Sequence, residues 1–323
     1  MLDDRLPCDT RRTMVEGADA SRLTGMVTEQ AALVALLRAR PNGMSWPQIV
    51  SEVVIAGSAE AVWQAHVPPT LLELEKSDAL EQASVDIAAW RAEGLTFLTI
   101  LDEEYPSGLR GVHQAPPVLF ARGGLVPDDI GVSVVGSRVV SAMGLRIATD
   151  VARALVEEGV SVVAGLAAGI DTAAHRSALE SGGRTVAVIG TGIRKRYPAE
   201  NAALHDVIAE RGFLLSQFWP DAPPQKHTFL MRNATMSGYG VATVVVEAGE
   251  QSGARAQARM AVEHGRPVIL TDLVVERNVW ARRLVGRPGV HVADSVPAVI
   301  AIVSGVIGER RALGDTLRQL ALT

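Results

Sequence analysis

Gly136, Ser137 and Arg138 follow directly on the apolar, β-branched run Val132-Ser-Val-Val, and a helix-compatible stretch opens after them with Ser141 and Gly144. A strand, a tight turn and a helix start in that order present free backbone N–H groups and the positive end of a helix dipole to an anion. Arg138 stands in the turn itself, where its planar fork can take a phosphate in two hydrogen bonds. The plainer alternative is a tight turn with a surface arginine. A dinucleotide site is disfavoured. The fingerprint for one needs a second glycine, absent here, and an acid closing the next strand, which instead ends in Ala164-Gly165.

Similar strand-to-turn junctions recur downstream. Gly165 and Gly169 stand four apart, so the backbone can approach a ligand closely. Asp171 is placed to N-cap the following helix, and His175 lies one turn on. With no third ligand at metal spacing and no nucleophile beside them, the pair reads as a buried Asp–His hydrogen bond ordering the glycine loop, in preference to an acid–base pair or metal ligands. Gly190 and Gly192 precede Arg194-Lys195-Arg196-Tyr197, the most basic patch of the chain. It reads either as part of a groove tracking a single strand's backbone, with Tyr197 stacking or packing, or as a solvated loop. A long loop then leads to Lys226, His227, Phe229, Arg232 and Asn233. Glu247 opens the last such junction, and Ser252-Gly253 at a helix start is a second anion-binding candidate.

The elements that position these residues alternate regularly from Gly131 onward. Strands are expected at 132–135, 161–164, 185–189, 213–216, 242–246 and 267–270, with a last one near 290–292. Helical runs lie between them, and Gly159, Gly182, Gly212 and Gly265 each follow a helix as a stop. That alternation predicts an α/β, doubly wound, mostly parallel sheet over 131–295, covered on both faces. Ligands of such sheets lie at the carboxyl ends of the strands, where all these junctions fall. Residues 1–25 are charged and poor in large apolar groups, which predicts a disordered tail. Residues 26–89 read as a small all-helical domain, with apolar faces Leu33, Val34, Leu36, Leu37 and Trp46, Ile49, Val50, Val53. Residues 90–130 form a connector with short strands, and 296–323 a C-terminal helical tail that either packs on the sheet or belongs to a dimer surface.

Composition narrows the function classes. The 323 residues are 48% hydrophobic, with 30 glycines and a formal charge of −5, so any cationic site is local. Aromatics at 4% argue against a binder built on many stacking platforms. Of 31 Lys and Arg residues only Lys76, Lys195 and Lys226 are lysine. The single Cys8 supports neither a disulfide framework nor a thiolate metal site, and no metal or other cofactor is expected. No signal-peptide run and no stretch of about 20 apolar residues is present, so the expected setting is cytoplasmic, away from membranes.

Read in order, the junctions resemble the DNA-processing DprA/Smf family. The matching segments are Val-Gly-Ser-Arg (135–138), Gly-Leu-Ala-Ala-Gly-Ile-Asp (165–171) with Ala174-His175, Tyr197-Pro198-Ala-Glu-Asn201, Arg232-Asn233, and Val246-Glu247-Ala248 with Ser252-Gly253. Upstream, Ala89-Trp90, Tyr105-Pro106 and Pro116-Pro117-Val-Leu-Phe120 match the same family's lead-in. The resemblance implies an extended Rossmann-like domain after a small SAM-like helical one. It implies a non-catalytic, homodimeric protein that binds single-stranded DNA and helps load a RecA-type recombinase in natural transformation (competence) and recombination. Carried over, Gly136, Ser137 and Arg138 form a phosphate-holding pocket lined by Gly165 and Gly169, with Arg232 and Asn233 at its rim. Asp171, His175 and Glu247 brace it. Ala234 and Gln251 stand where the family carries cations, Gln217 where it carries Glu, and Thr271-Asp272 replace a Pro-Gly. The chain stops at Thr323, before the winged-helix tail of many relatives, and two lost cations predict weakened DNA binding. The competing expectation is a Rossmann-like nucleotide sensor or nucleotide-processing protein, in a defence setting against mobile elements.

Overall fold

The computed structural model describes residues 28–67 and 73–321. The expectations for the first 25 residues, Cys8 included, lie outside them. The described residues form two compact units that divide between Glu103 and Glu104.

In the first unit, helix α1 covers residues 28–39 and buries Ala31 to Leu37. Helix α2 (Trp46–Ala56) starts in a reciprocal Ser45–Gln48 capping box, and its Trp46 Nε1 donates to the Leu37 carbonyl at 3.0 Å. Helix α3 (Ala59–His66) is capped by Ser58, and the Glu29 carboxylate accepts from the Ala59 amide. Helix α4 (Glu73–Ala92) is followed by Gly94 at φ +77° and strand β1 (Thr96–Thr99). Ile49, Val53, Val62 and Trp63 join α1 in a small helical core.

The second unit opens with α5 (Ser107–Arg110) and β2 (Val118–Gly123). Alternation then runs β3 (Gly131–Gly136), α6 (Ala142–Glu157), β4 (Ser161–Ala164), α7 (Ile170–Glu180), β5 (Thr185–Val188), α8 (Ala202–Arg211) and β6 (Phe213–Ser216). It continues through α9 (Lys226–Tyr239), β7 (Ala242–Glu247), α10 (Gly253–Glu263) and β8 (Val268–Thr271). Two short helices, α11 (Asp272–Arg277) and α12 (Val279–Leu284), precede β9 (Val290–Ala293) and the long α13 (Val296–Ala321). The seven strands expected from the pattern are present, with ends within one residue of those read from sequence.

Within this unit the sheet order is β2-β6-β5-β4-β3-β7-β8-β9. All neighbours are parallel except β2, which pairs antiparallel with β6. The strands are continuous apolar runs because both faces are covered. Val132 and Val134 of β3 pack with Val151, Leu155 and Ile170 of α6 and α7 and with Val299 and Val303 of α13. Ser133, pointing to the other face, donates to the Met236 carbonyl of α9 at 3.3 Å. From β3 the chain winds outward through β4, β5 and β6, then returns to β7 on β3's other side. That makes the β3–β7 seam the topological switch point, where open α/β sheets leave a crevice.

Candidate nucleic-acid interface

A cavity of about 500 Å³ opens at the carboxyl ends of β3 and β7. The β3–β7 pairing slips by one residue between Val135 and Gly136, so Gly136 sits opposite Glu247 and the Ser137 amide donates to the Glu247 carbonyl at 2.7 Å. A bulge of this kind bends the strand end and turns the following residues outward. Gly136, Ser137 and Arg138 form one wall; Ser252 and Gly253, with Gln251, form another; Arg232 and Asn233 of α9 close the floor. Ser252 caps α10 by accepting from the Arg255 amide, which fixes the loop before it.

Three cationic side chains meet at this cavity in different states. Arg138 and Lys226 are exposed and have no carboxylate within ion-pair distance among the described residues. Arg232 is buried, and its Nη1 donates to the Gly165 and Val188 carbonyls, both at 2.7 Å. A side chain on Gly165 has no room: a Cβ there would lie 1.8 Å from Arg232 Nη1. Burial opposes the Arg232 charge and Asp171 supports it.

Asp171 lines the same cavity and accepts from the Gly165 and Ala167 amides at 3.0 and 3.3 Å. Burial pushes its carboxyl above the ordinary range, and the Arg232 charge and the two amides pull it back. The glycine loop is thus ordered by Asp171, but neither as an N-cap nor through His175. Gly169, at φ +80°, is the N-cap of α7, so Asp171 falls inside the first turn. His175 turns to β5, where its Nδ1–H donates to Thr185 Oγ1 at 2.7 Å while the Thr185 hydroxyl donates to the Val162 carbonyl. Burial, then the Arg232 charge, hold His175 down at about 3, so the ring is neutral near pH 7. Sequence spacing put the two side chains on one helix face; competition from the loop amides and from Thr185 separates them. Within the loop, Leu166 sits at φ +59°, a left-handed conformation costly for a residue with a Cβ. Its carbonyl accepts from Asn201 Nδ2 at 2.9 Å.

Glu247 lies behind the turn. Its Oε2 accepts from the Ser141 amide and hydroxyl at 3.0 and 2.9 Å, and Arg277 approaches Oε1 at 3.3 Å. The Ser141 hydroxyl also accepts from the Gly144 amide as the cap of α6. Ser141 and Gly144 are therefore engaged with Glu247 and α6, outside the cavity wall.

A second pocket of about 70 Å³ adjoins the first and shares Arg138, Ala167, Phe229 and Arg232 with it. Gly165, Gly190 and Tyr197 add to its wall, and the Tyr197 and Phe229 rings stand 5.5 Å apart. Gly192 packs instead against the Trp219 and Pro220 carbonyls. Arg194, Lys195 and Arg196 line neither cavity. Arg194 and Lys195 face Asp221 at 2.5 and 3.9 Å, and Arg196 pairs with Asp206 at 2.8 Å. Of the departures from the family pattern, Gln251 stands in the wall, whereas Ala234 is buried in α9 outside it. One polar lining residue escaped the sequence reading. Gln257 of α10 is 1% exposed, and neither its Oε1 nor its Nε2 has a partner among the described residues. A lone amide on a helix face of alanines (254, 258, 261) was the available signal. Among the described residues no group of three or more His, Cys, Asp or Glu is placed to hold a metal, and no helix is long and apolar enough to cross a membrane.

Residues 96–286 match the family described as DNA recombination-mediator protein A. The DNA processing protein DprA of Bacillus subtilis is 36% identical over 184 residues, 56% of this chain and 62% of that protein. The chain thus spans less than two thirds of the length of that relative. The crystal structure of DNA processing protein A from Streptococcus pneumoniae superposes with a TM-score of 0.63 at 31% identity, covering 81% of this chain and 94% of that one. DNA processing protein A from Helicobacter pylori, studied for its single-stranded DNA binding mode, shares the fold with a TM-score of 0.58 at 21% identity, covering 67% and 96%.

Proposed function

The chain belongs to the DNA recombination-mediator protein A family, and from that premise we propose that its switch-point cavity holds the phosphates of a single DNA strand. The observation that carries the reading is Arg138. It stands exposed on a bulged glycine turn, with no carboxylate in ion-pair contact among the described residues, beside Lys226 and above a floor containing the fixed charge of Arg232. A guanidinium whose fork is not taken up by a carboxylate suits a phosphate, which it binds through two parallel N–H groups. The Tyr197 and Phe229 rings beside Arg138 offer a base face to stack on. The protein binds the strand without cleaving it and passes it to a RecA-type recombinase, working as a homodimer; the single-strand binding described for the Helicobacter pylori relative is in line with the strand-binding part of this reading.

Anisotropy of a labelled single strand at two salt concentrations tests the reading. Arg138→Ala is expected to weaken binding about tenfold at low salt and to flatten the salt slope by about 0.7, the contribution of one phosphate on a single strand. No binding at low salt, or wild-type behaviour of Arg138→Ala, overturns it.

A second reading has its own support. The cavity volume falls in the range of small-molecule sites, and the unpartnered Gln257 amide offers both a donor and an acceptor to a base. Under this reading a mono-, di- or cyclic nucleotide raises the melting temperature. If none does, the strand reading stands alone.

A further inference from the structure

A second cationic surface lies across α10 from the cavity. Arg255 and Arg259 of α10 face Arg283 and Arg287 of α12 and the turn after it, around a groove of about 280 Å³. Glu250, Val279, Trp280 and Leu284 complete its wall. All four arginines are exposed. Arg255 donates to the Glu250 carbonyl and Arg259 reaches Glu263 at 3.4 Å, while Arg283 and Arg287 have no side-chain partner among the described residues. The Glu250 carboxylate, the acid of the groove wall, is occupied by the Val279 amide. Arg255 and Arg259 stand four apart on α10, a separation at which like charges on a helix repel unless an anion lies between them. In a chain of net charge −5, this is a concentration of one sign against the overall balance.

Helix α10 separates the two sites. At about 100° per residue, Ala254 and Gln257 face the cavity and Arg255 and Arg259 the groove, on roughly opposite sides of the helix. The loop before α10 borders both, with Gln251 to Gly253 in the cavity and Glu250 in the groove. A polyanion lying in the cavity and leaving over the N-terminal turn of α10 meets the four arginines next. Resting on the strand-binding reading above, we propose that the groove carries the continuation of the bound strand. The arginine forks hold its phosphates, and recognition is blind to sequence because the Trp280 ring is buried and its Nε1 donates to the Gly249 carbonyl. The groove supplies cations that the cavity lacks at Gln251.

The test is a salt titration of binding with a labelled single strand of about 25 nucleotides, long enough to leave a site of ordinary size. The double variants Arg283→Gln/Arg287→Gln and Arg255→Gln/Arg259→Gln alter opposite walls and are compared with wild type and with Arg138→Ala. Each double variant is expected to weaken binding about tenfold and to flatten the salt slope by about 1.4, two phosphates at about 0.7 each. If both double variants bind like wild type while Arg138→Ala is impaired, the groove proposal falls and the cavity reading survives. If wild type binds no strand, both fall. If the double variants lose binding of a polyglutamate peptide but keep that of the strand, the groove is a protein-docking surface and the proposal is overturned.

Discussion

At the scale of single residues, the floor of the cavity depends on one buried cation. Arg232 ties the ends of β4 and β5 through the Gly165 and Val188 carbonyls, and Asp171 stands by as its counter-charge. Removing one partner of such a pair leaves an uncompensated charge in a dry place, which costs more than the pair itself contributes. Arg232→Met and Asp171→Asn are therefore each expected to lose about 3 kcal/mol of stability in urea denaturation, and the double variant less than the sum of the two. Losses that simply add in the double variant would show that the two charges do not lean on each other. Arg138 differs: it is exposed, so its replacement should alter ligand binding and leave the denaturation midpoint unchanged. The sequence alone distinguished Arg138 by its place in the turn. It could not show that Arg194 and Arg196 are answered by Asp221 and Asp206, because those partners come from the loop after β6 and from α8.

Secondary-structure elements were the most legible part of the chain. Continuous runs such as Val132-Ser-Val-Val and Ala242-Thr-Val-Val-Val read as buried parallel strands because both faces of the sheet are covered. What the pattern did not reveal is how one element's end is fastened to another. Glu247, at the end of β7, holds the start of α6 through Ser141, 106 residues earlier in the chain. The same carboxylate fills the space beside Gly144, where a Cβ would lie 2.0 Å from its Oε2. Glu247→Ala should thus loosen the first turn of α6 specifically. Amide exchange at Ser141 is expected to quicken while the strand amides of β4 and β5 stay protected, with a stability loss of about 1–2 kcal/mol. Uniform quickening across the sheet would mean that the bond is merely part of global stability.

For the whole molecule, acid should unfold this protein earlier than its surface charges suggest. His175 is held near 3 in the fold, against an ordinary value of about 6.5 in the unfolded chain. Below about 6.5 the unfolded chain takes a proton that the folded one refuses, so stability is lost as the pH falls from there toward 3. Between pH 6.5 and 5 this amounts to about 2 kcal/mol from His175. His205 and His264, also held down by burial, act in the same direction, while Asp171, pushed up, acts against it. Urea midpoints at pH 7 and pH 5 should differ accordingly, and His175→Gln should shrink the difference; an unchanged difference assigns the effect elsewhere. Nothing in the spacing of Asp171 and His175 foretold this, since the expected bond between them would have favoured the protonated ring.

The position of α10, with a cavity on one side and an arginine groove on the other, has a consequence for time as well as for strength. A strand gripped on both flanks of one helix is attached at two points, and releasing either leaves its free end at high local concentration for rebinding. Escape into empty solution is then slow. A competitor that occupies one flank while it is momentarily vacant prevents that recapture, so the strand leaves in two easy steps. Under this arrangement long residence and rapid hand-over are compatible, and which of them prevails is set by whether another binder is waiting.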